Sequence, residues 1–345
     1  MNTVNRKIIN AIIEKAEKLH PDSLALIGVY GSVATGDDYA KSDLDLLVLI
    51  EDEEGRKLSA GFILNDSGVG YDIYCTDWNN LHHEAKCYQA HISKLMDSEI
   101  VYVKNQNAYD ELCKLREETK LFLESDERFQ RVNELLVKAK VAYADSLLCD
   151  TLGKVRLNAF GVMDCILNAV MLYNGKYFKF GVKRTFEEIA KLPATDELAG
   201  TMKKIAASKD VSEIRALLKS LLLYAERYMR QEKQKQEPSV ALTGTYEELY
   251  SNWRNKVEQA ANNSDVFSSF VNMCCFNYML SDISSEFDID DYNIMDEYNP
   301  ENLADNVPLY DKYLKEYEKV CSDAGIKIKR FSDVDAFVAD YLENQ

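Results

Sequence analysis

Ser42-Asp43-Leu44-Asp45 is where the chemistry of this chain concentrates. In a strand alternate side chains share a face, so Asp43 and Asp45 lie on one side, with Cα atoms roughly 7 Å apart. Two carboxylates held together repel each other, and a hard, oxygen-seeking cation such as Mg²⁺ relieves that repulsion. Taken alone, an Asp-x-Asp is equally the pattern of a solvated surface strand. Leu46 to Ile50, however, runs apolar at both parities, as a strand buried on both faces does. The two acids therefore stand at the mouth of a core strand. Asp72, within Gly70-Tyr71-Asp72-Ile73-Tyr74, is a third acid, and an unpaired carboxylate is expensive to bury in a short apolar strand. It either occupies an exposed strand edge or joins Asp43 and Asp45 in a metal-binding triad. Asp66 and Asp77 lie in turn-like sequence and have weaker claims.

Upstream, the run Leu26-Ile-Gly-Val-Tyr30 leads into Gly31-Ser32. Glycine has no Cβ to hold a bound group away from the backbone. Ser32 adds a hydroxyl, and a helical turn after it would aim free N–H groups at the same place, which together make a phosphate seat. A Gly-Ser after a strand is by itself no more than a tight turn. Followed by Asp-x-Asp eleven residues on, it points to metal-assisted chemistry on a phosphate. Two metal ions would bridge the attacking and leaving oxygens of an in-line displacement, and polarisation would let an alcohol attack near neutral pH.

The order hydrophobic strand, Gly-Ser, Asp-x-Asp, apolar-Asp-apolar strand resembles the nucleotidyltransferase fold of DNA polymerase beta. Within that superfamily, the opening Gly31-Ser-Val-Ala-Thr-Gly36 is most similar to small bacterial enzymes of the kanamycin and streptomycin nucleotidyltransferase type. The resemblance covers roughly residues 20–105. It implies a mixed sheet flanked by helices, two Mg²⁺ ions and ATP as co-substrate. Gly31 and Ser32 would hold the β- and γ-phosphates, Asp43 and Asp45 would ligate both metals, and Asp72 would ligate one and act as, or orient, the base for the incoming hydroxyl. Relatives often carry Arg where this chain has Thr35. One cation for the triphosphate must then come from elsewhere, with Lys41 and the pair Lys183-Arg184 as candidates.

The elements that must position these residues follow from periodicity. Ile8, Ile9, Ile12, Ile13 and Ala16 recur at helical spacing, and Pro21-Asp22 ends that helix. Strands are expected at Leu24–Tyr30, Leu44–Ile50, Gly61–Leu64, Tyr71–Cys75 and Glu99–Val103, with one helix over Leu81–Met96. After about residue 106 the pattern is helical: Leu112–Leu123, Val132–Leu152, Leu157–Tyr173 and Thr185–Ala190, then Tyr246–Ala260, Val266–Ser284, Tyr310–Ala324 and Val334–Leu342. Arg230–Pro238 reads as a polar linker or the exposed end of a long helix. The expected class is α+β, a nucleotidyltransferase fold followed by an α-helical bundle. The expected domains are 1–110 for catalysis, 111–238 for a helical domain closing the active-site cleft, and 239–345 for a C-terminal helical region.

Composition narrows the partners. With 41 basic and 58 acidic residues the net charge is −17, a field that repels phosphate backbones and makes a long nucleic acid an unlikely ligand. A cationic acceptor suits it better, although solubility alone explains such a charge. The eight cysteines form no CxxC pair and mostly sit in apolar runs, as free thiols do in a reducing compartment. The first residues lack a signal peptide's apolar core, and no run reaches the roughly 18 apolar residues that span a membrane. A cytoplasmic protein without a membrane segment is expected.

Other motifs add less. Asn174–Arg184 joins two predicted helices and, with its glycines, aromatics and lysines, is either a lobe closing on the triphosphate or an ordinary helix corner. The helical region resembles HEPN-type bundles, but the histidines at 20, 82, 83 and 91 all precede it, so the ribonuclease motif of such bundles cannot form. Asp288-Ile-Asp-Asp-Tyr292 lacks the glycine and the third ligand of a calcium loop. The reaction expected is transfer of a nucleoside monophosphate, AMP from ATP, to a hydroxyl of a small molecule of aminoglycoside type, with release of pyrophosphate. The rivals are a protein- or tRNA-nucleotidylylating enzyme of a toxin–antitoxin system and a degenerate nucleotide-binding module.

Overall fold

Leu24 to Val29 are all buried, and that run forms β1 (Leu24–Tyr30), an inner strand of a four-stranded mixed sheet. In the computed structural model, which describes residues 2–230 and 235–343, the order is β5-β2-β1-β6. Here β2 is Asp45–Ile50, β5 Cys75–Thr76 and β6 Glu99–Val103. Strand β1 runs antiparallel to β2 and β6, while β5 is parallel to β2. Between β2 and β5 the chain forms a separate hairpin of β3 (Ala60–Leu64) and β4 (Val69–Ile73).

Side-chain parity sorts the two faces. Leu46, Val48 and Ile50 join Ile9, Ile12 and Ala16 of α1 (Thr3–Leu19) and the inward residues Val69, Tyr71 and Ile73 of the hairpin. Leu47 and Leu49 pack instead against Leu81 of α3 (Trp78–Ala85), Leu95 of α4 (Ser93–Asp97) and Leu112 and Leu115 of α5 (Gln106–Glu124). A short helical turn, α2 (Gly31–Thr35), follows β1. The fold is α+β, as expected. Residue 110, the expected end of the catalytic domain, falls inside α5, whose Ala108, Leu112 and Leu115 cover the sheet.

The expected single helix over Leu81–Met96 is instead two, α3 and α4, and the cause is tertiary. Cys87 adopts φ +50°, and the backbone around Ala90 bonds outward. Its N–H donates to Asn168 Oδ1 at 2.6 Å, and its carbonyl accepts from the Phe178 N–H at 2.9 Å. Cys87, Ala90 and Ile92 are buried in the core of the helices that follow. Packing there outweighs local helix propensity.

Those helices are α6 (Arg128–Leu147), α7 (Leu152–Tyr173), α8 (Thr185–Ile189), α9 (Asp196–Ala207) and α10 (Val211–Tyr228). Helix α7 is long and apolar enough to cross a membrane by length and composition alone. Val155, Ala159, Val162, Ile166, Ala169 and Val170 bury it in the bundle, and core helices pass the same test.

The first of two compact units ends at Arg230. The centre of the expected linker, residues 231–234, lies outside the described residues. The second unit holds α11 (Thr245–Leu249), α12 (Asn255–Asn262), α13 (Val266–Glu286), α14 (Asn306–Asp323) and α15 (Val334–Glu343). Its core mixes aliphatic and aromatic side chains: Tyr310 stacks on Phe276 with centroids 3.8 Å apart and donates to the Leu249 carbonyl at 2.5 Å. The expected helix Tyr246–Ala260 is interrupted at Tyr250–Arg254 by a wider π turn. The Asp288–Tyr292 segment lines an acidic depression of about 950 Å³ with Glu316 and Asp323.

Candidate active site

Antiparallel pairing brings the end of β1 to the start of β2, with Tyr30 opposite Asp45. Gly31 follows at φ +67°, in the left-handed region that glycine enters without a steric penalty. A Cβ built there would lie 1.9 Å from Asp45 Oδ2. The close approach anticipated for a ligand is thus already used by the protein's own acid. Sequence places Gly31 and Asp45 fourteen positions apart, and only strand pairing makes them neighbours.

Helix α2 is a single turn of five residues, too short for a macrodipole of any consequence. Its carbonyls are satisfied locally. The Thr35 hydroxyl donates to Gly31 O at 3.1 Å, and the amide of Gly36 bonds Ser32 O. Thr35 closes the turn on itself with its own side chain.

Asp43 is exposed, and Asp45 is partly buried. Burial and the neighbouring charge of Asp43 both push the Asp45 carboxyl above its ordinary value. The Tyr30 hydroxyl is pushed up to about 12 by burial and then by Asp45, Glu84 and Asp43. Asp72 is exposed on β4, opposite Gly61 of β3. With Asp43, Gly61, Gly70, Phe62 and Tyr71 it walls an open depression of about 540 Å³. The expected triad is therefore joined in pairs, Asp43 with Asp45 through charge and Asp43 with Asp72 across the depression. The three are not gathered into one cluster: among the described residues no three His, Cys, Asp or Glu side chains group as a metal site. Oxygen-only, mutually repelling donors are nevertheless the chemistry that a hard divalent cation fits.

The three expected cations behave differently. Lys41 and Lys183 are exposed and make no ion pair among the described residues. Arg184 reaches the turn after β1: its Nη1 donates to both oxygens of Asp37, at 2.9 and 3.1 Å. Its guanidinium lies 3.7 Å above the Phe180 ring. Asp37 was not distinguishable in the sequence from its neighbour Asp38, and only the arriving arginine marks it. Glu84 was also missed. It pairs with Lys94 at 2.6 Å through one oxygen, and its other oxygen is buried with no hydrogen bond. Asp77 caps α3 through the Asn80 amide and binds Arg56, a structural role.

The segment Asn174–Arg184 is tied to the sheet side of the unit along its length. Tyr177 donates to Asp97 at 2.8 Å, and Phe178 stacks on His91 with centroids 4.6 Å apart. Burial holds His91 below its ordinary value of 6.5, so below that pH the unfolded chain binds more protons than the folded one. Stability should then fall as pH drops through and below 6.5. His91→Phe, which keeps the stack, should flatten that part of a melting-temperature profile; an unchanged slope would assign the effect elsewhere.

Comparison with known proteins bears on this region. Residues 9–121 match the family model of the nucleotidyltransferase domain, a span running from α1 through every strand of the first unit and into α5. No curated protein matches the chain. Among solved structures, a nucleotidyltransferase-like protein from Exiguobacterium sibiricum 255-15 is similar, with 14% sequence identity and a TM-score of 0.38 over 66% of this chain and 78% of that one.

Proposed function

We propose that the chain is a Mg²⁺-dependent nucleotidyltransferase that moves AMP from ATP to a hydroxyl of a small acceptor and releases pyrophosphate. The observation that carries this reading is the contact of Gly31 with Asp45, which sets a Cβ-free backbone turn against a half-buried carboxylate beside a second one. With the Cβ-free side of Gly31 taken by Asp45, the backbone N–H groups of the Gly31-Ser32 turn and the Ser32 hydroxyl receive the β- and γ-phosphates. Asp43 and Asp45 hold Mg²⁺, which when bound neutralises charge developing on the reacting phosphate and the leaving pyrophosphate. Asp72 shares the depression with Asp43, adds to the metal's ligands and takes the proton of the attacking hydroxyl. That oxygen bonds to the α-phosphorus as the bond to the bridging oxygen of pyrophosphate breaks.

Arg184 supplies the cation that Thr35 does not, and exposed Lys41 and Lys183 add long-range attraction for the triphosphate. The direct test is pyrophosphate release from ATP with Mg²⁺ across a panel of hydroxylated acceptors, aminoglycosides and lincosamides first. Release with none of them, together with label moving from ATP to a protein or tRNA, would replace the small acceptor with a macromolecular one. Failure to bind any nucleoside triphosphate would reduce the chain to a degenerate module.

The net charge of −17 favours a polycationic acceptor such as an aminoglycoside. Surface attraction is screened over a Debye length of about 8 Å at physiological salt. The KM of a cationic acceptor should therefore rise several-fold between roughly 50 and 300 mM salt, with ATP and Mg²⁺ held saturating. A flat response, with a neutral acceptor working equally well, removes the aminoglycoside and leaves the reaction class.

A further inference from the structure

Arg184 is fixed from three directions. Nη1 is committed to Asp37, Nε donates to Glu187 at 2.8 Å, and the Phe180 ring lies beneath the guanidinium. Nη2 makes no hydrogen bond among the described residues, so one arm with two donors stays open. Asp37 is fixed in turn to the Gly31-Ser32 turn. Its amide donates to the Ser32 carbonyl at 3.0 Å, and its Oδ2 lies 3.3 Å from the Thr35 hydroxyl, whose shorter contact is to Gly31 O. A cation from 147 residues away is thereby registered against the turn that carries the phosphate seat.

We infer that Asp37 is a positioning residue, holding Arg184 at the edge of this turn so that its free Nη2 arm meets the terminal phosphates of a nucleoside triphosphate. The inference rests on the proposed function. Two physical effects oppose each other here and make it decidable. Asp37 and Glu187 together outweigh the single charge of Arg184, so by field alone Asp37 repels a polyphosphate and its removal should tighten binding. Orientation works the other way, because an oriented guanidinium loses less freedom when it binds phosphate than one that must first be ordered.

The experiment is calorimetric titration of the full chain with a non-hydrolysable ATP analogue and, separately, with AMP, both with Mg²⁺. Asp37→Asn should weaken the ATP analogue about tenfold, the scale of one charge-assisted hydrogen bond, and leave AMP within twofold. Arg184→Lys keeps a charge for Asp37 but has no second arm, and should lose ATP affinity to a similar degree at unchanged melting temperature. The exchange Asp37→Arg with Arg184→Asp should restore the melting temperature without restoring ATP affinity. Equal or tighter ATP binding by Asp37→Asn overturns the inference, as does parallel weakening of ATP and AMP, which marks a purely structural pair. A wild-type chain that binds AMP and ATP equally overturns it too. One that binds neither overturns the proposed function with it.

Discussion

Asp45→Asn is expected to reduce nucleotidyl transfer roughly 10³-fold or more while making the metal-free protein more stable. Activity falls because the substitution removes half of the carboxylate pair and the charge that a divalent cation needs. Stability rises because the Asp45 carboxyl lies above its ordinary value of 3.8 in the folded chain, through burial and the charge of Asp43. Folding therefore works against its ionised form. The sign fixes the window: the stabilisation should be full at neutral pH, fade as pH falls through the raised folded value toward the ordinary 3.8, and be gone below it, where the acid is protonated in both states. Added Mg²⁺ should raise the melting temperature of the wild type and not of the variant. Two thermal scans and one pyrophosphate-release assay check all three statements. Near-normal transfer by Asp45→Asn would remove the acid from the site.

Gly31→Ala should be damaging twice over, and Gly36→Ala separates the two causes. Both glycines are left-handed, at φ +67° and +71°, so an alanine at either costs about 1–2 kcal/mol in backbone strain. A Cβ at Gly36 meets nothing within 4 Å, whereas one at Gly31 meets the Asp45 carboxylate at 1.9 Å. Gly36→Ala should thus lose the conformational part and keep its activity within a few-fold. Gly31→Ala should lose at least as much stability and, with Asp45 displaced, about 10²-fold or more in turnover. Equal activity in the two variants would show that the Gly31–Asp45 contact has no part in the chemistry. Chemical denaturation and initial rates on the pair are sufficient.

Local sequence determined β1, β2, β3 and β6 and the helices α1, α5, α6, α7 and α8, because their signals are local; it did not separate β4 from β5, whose residues run on as one strand signal, nor specify α9 and α10. Glu99–Val103 and Leu24–Tyr30 are continuous β-rich runs between turn residues, and the burial of Leu46 to Ile50 was written in its apolarity at both parities. The candidate acids were legible for the same reason: Asp43 and Asp45 interrupt the start of that run, and Asp72 stands alone in another. What local sequence could not specify was which groups meet. Antiparallel pairing alone sets Asp45 against Gly31, and it turns a glycine read as room for phosphate into one required by a carboxylate. Asp37 resembled any loop acid until Arg184 arrived from the segment before α8, far along the chain. The break between α3 and α4 has no glycine or proline to announce it; it exists because the backbone at Ala90 is better satisfied by Asn168 and Phe178 than by its own helix. Period and composition act over a few residues, whereas a site is made by contacts whose free energy depends on burial, and burial is settled only when the whole unit packs.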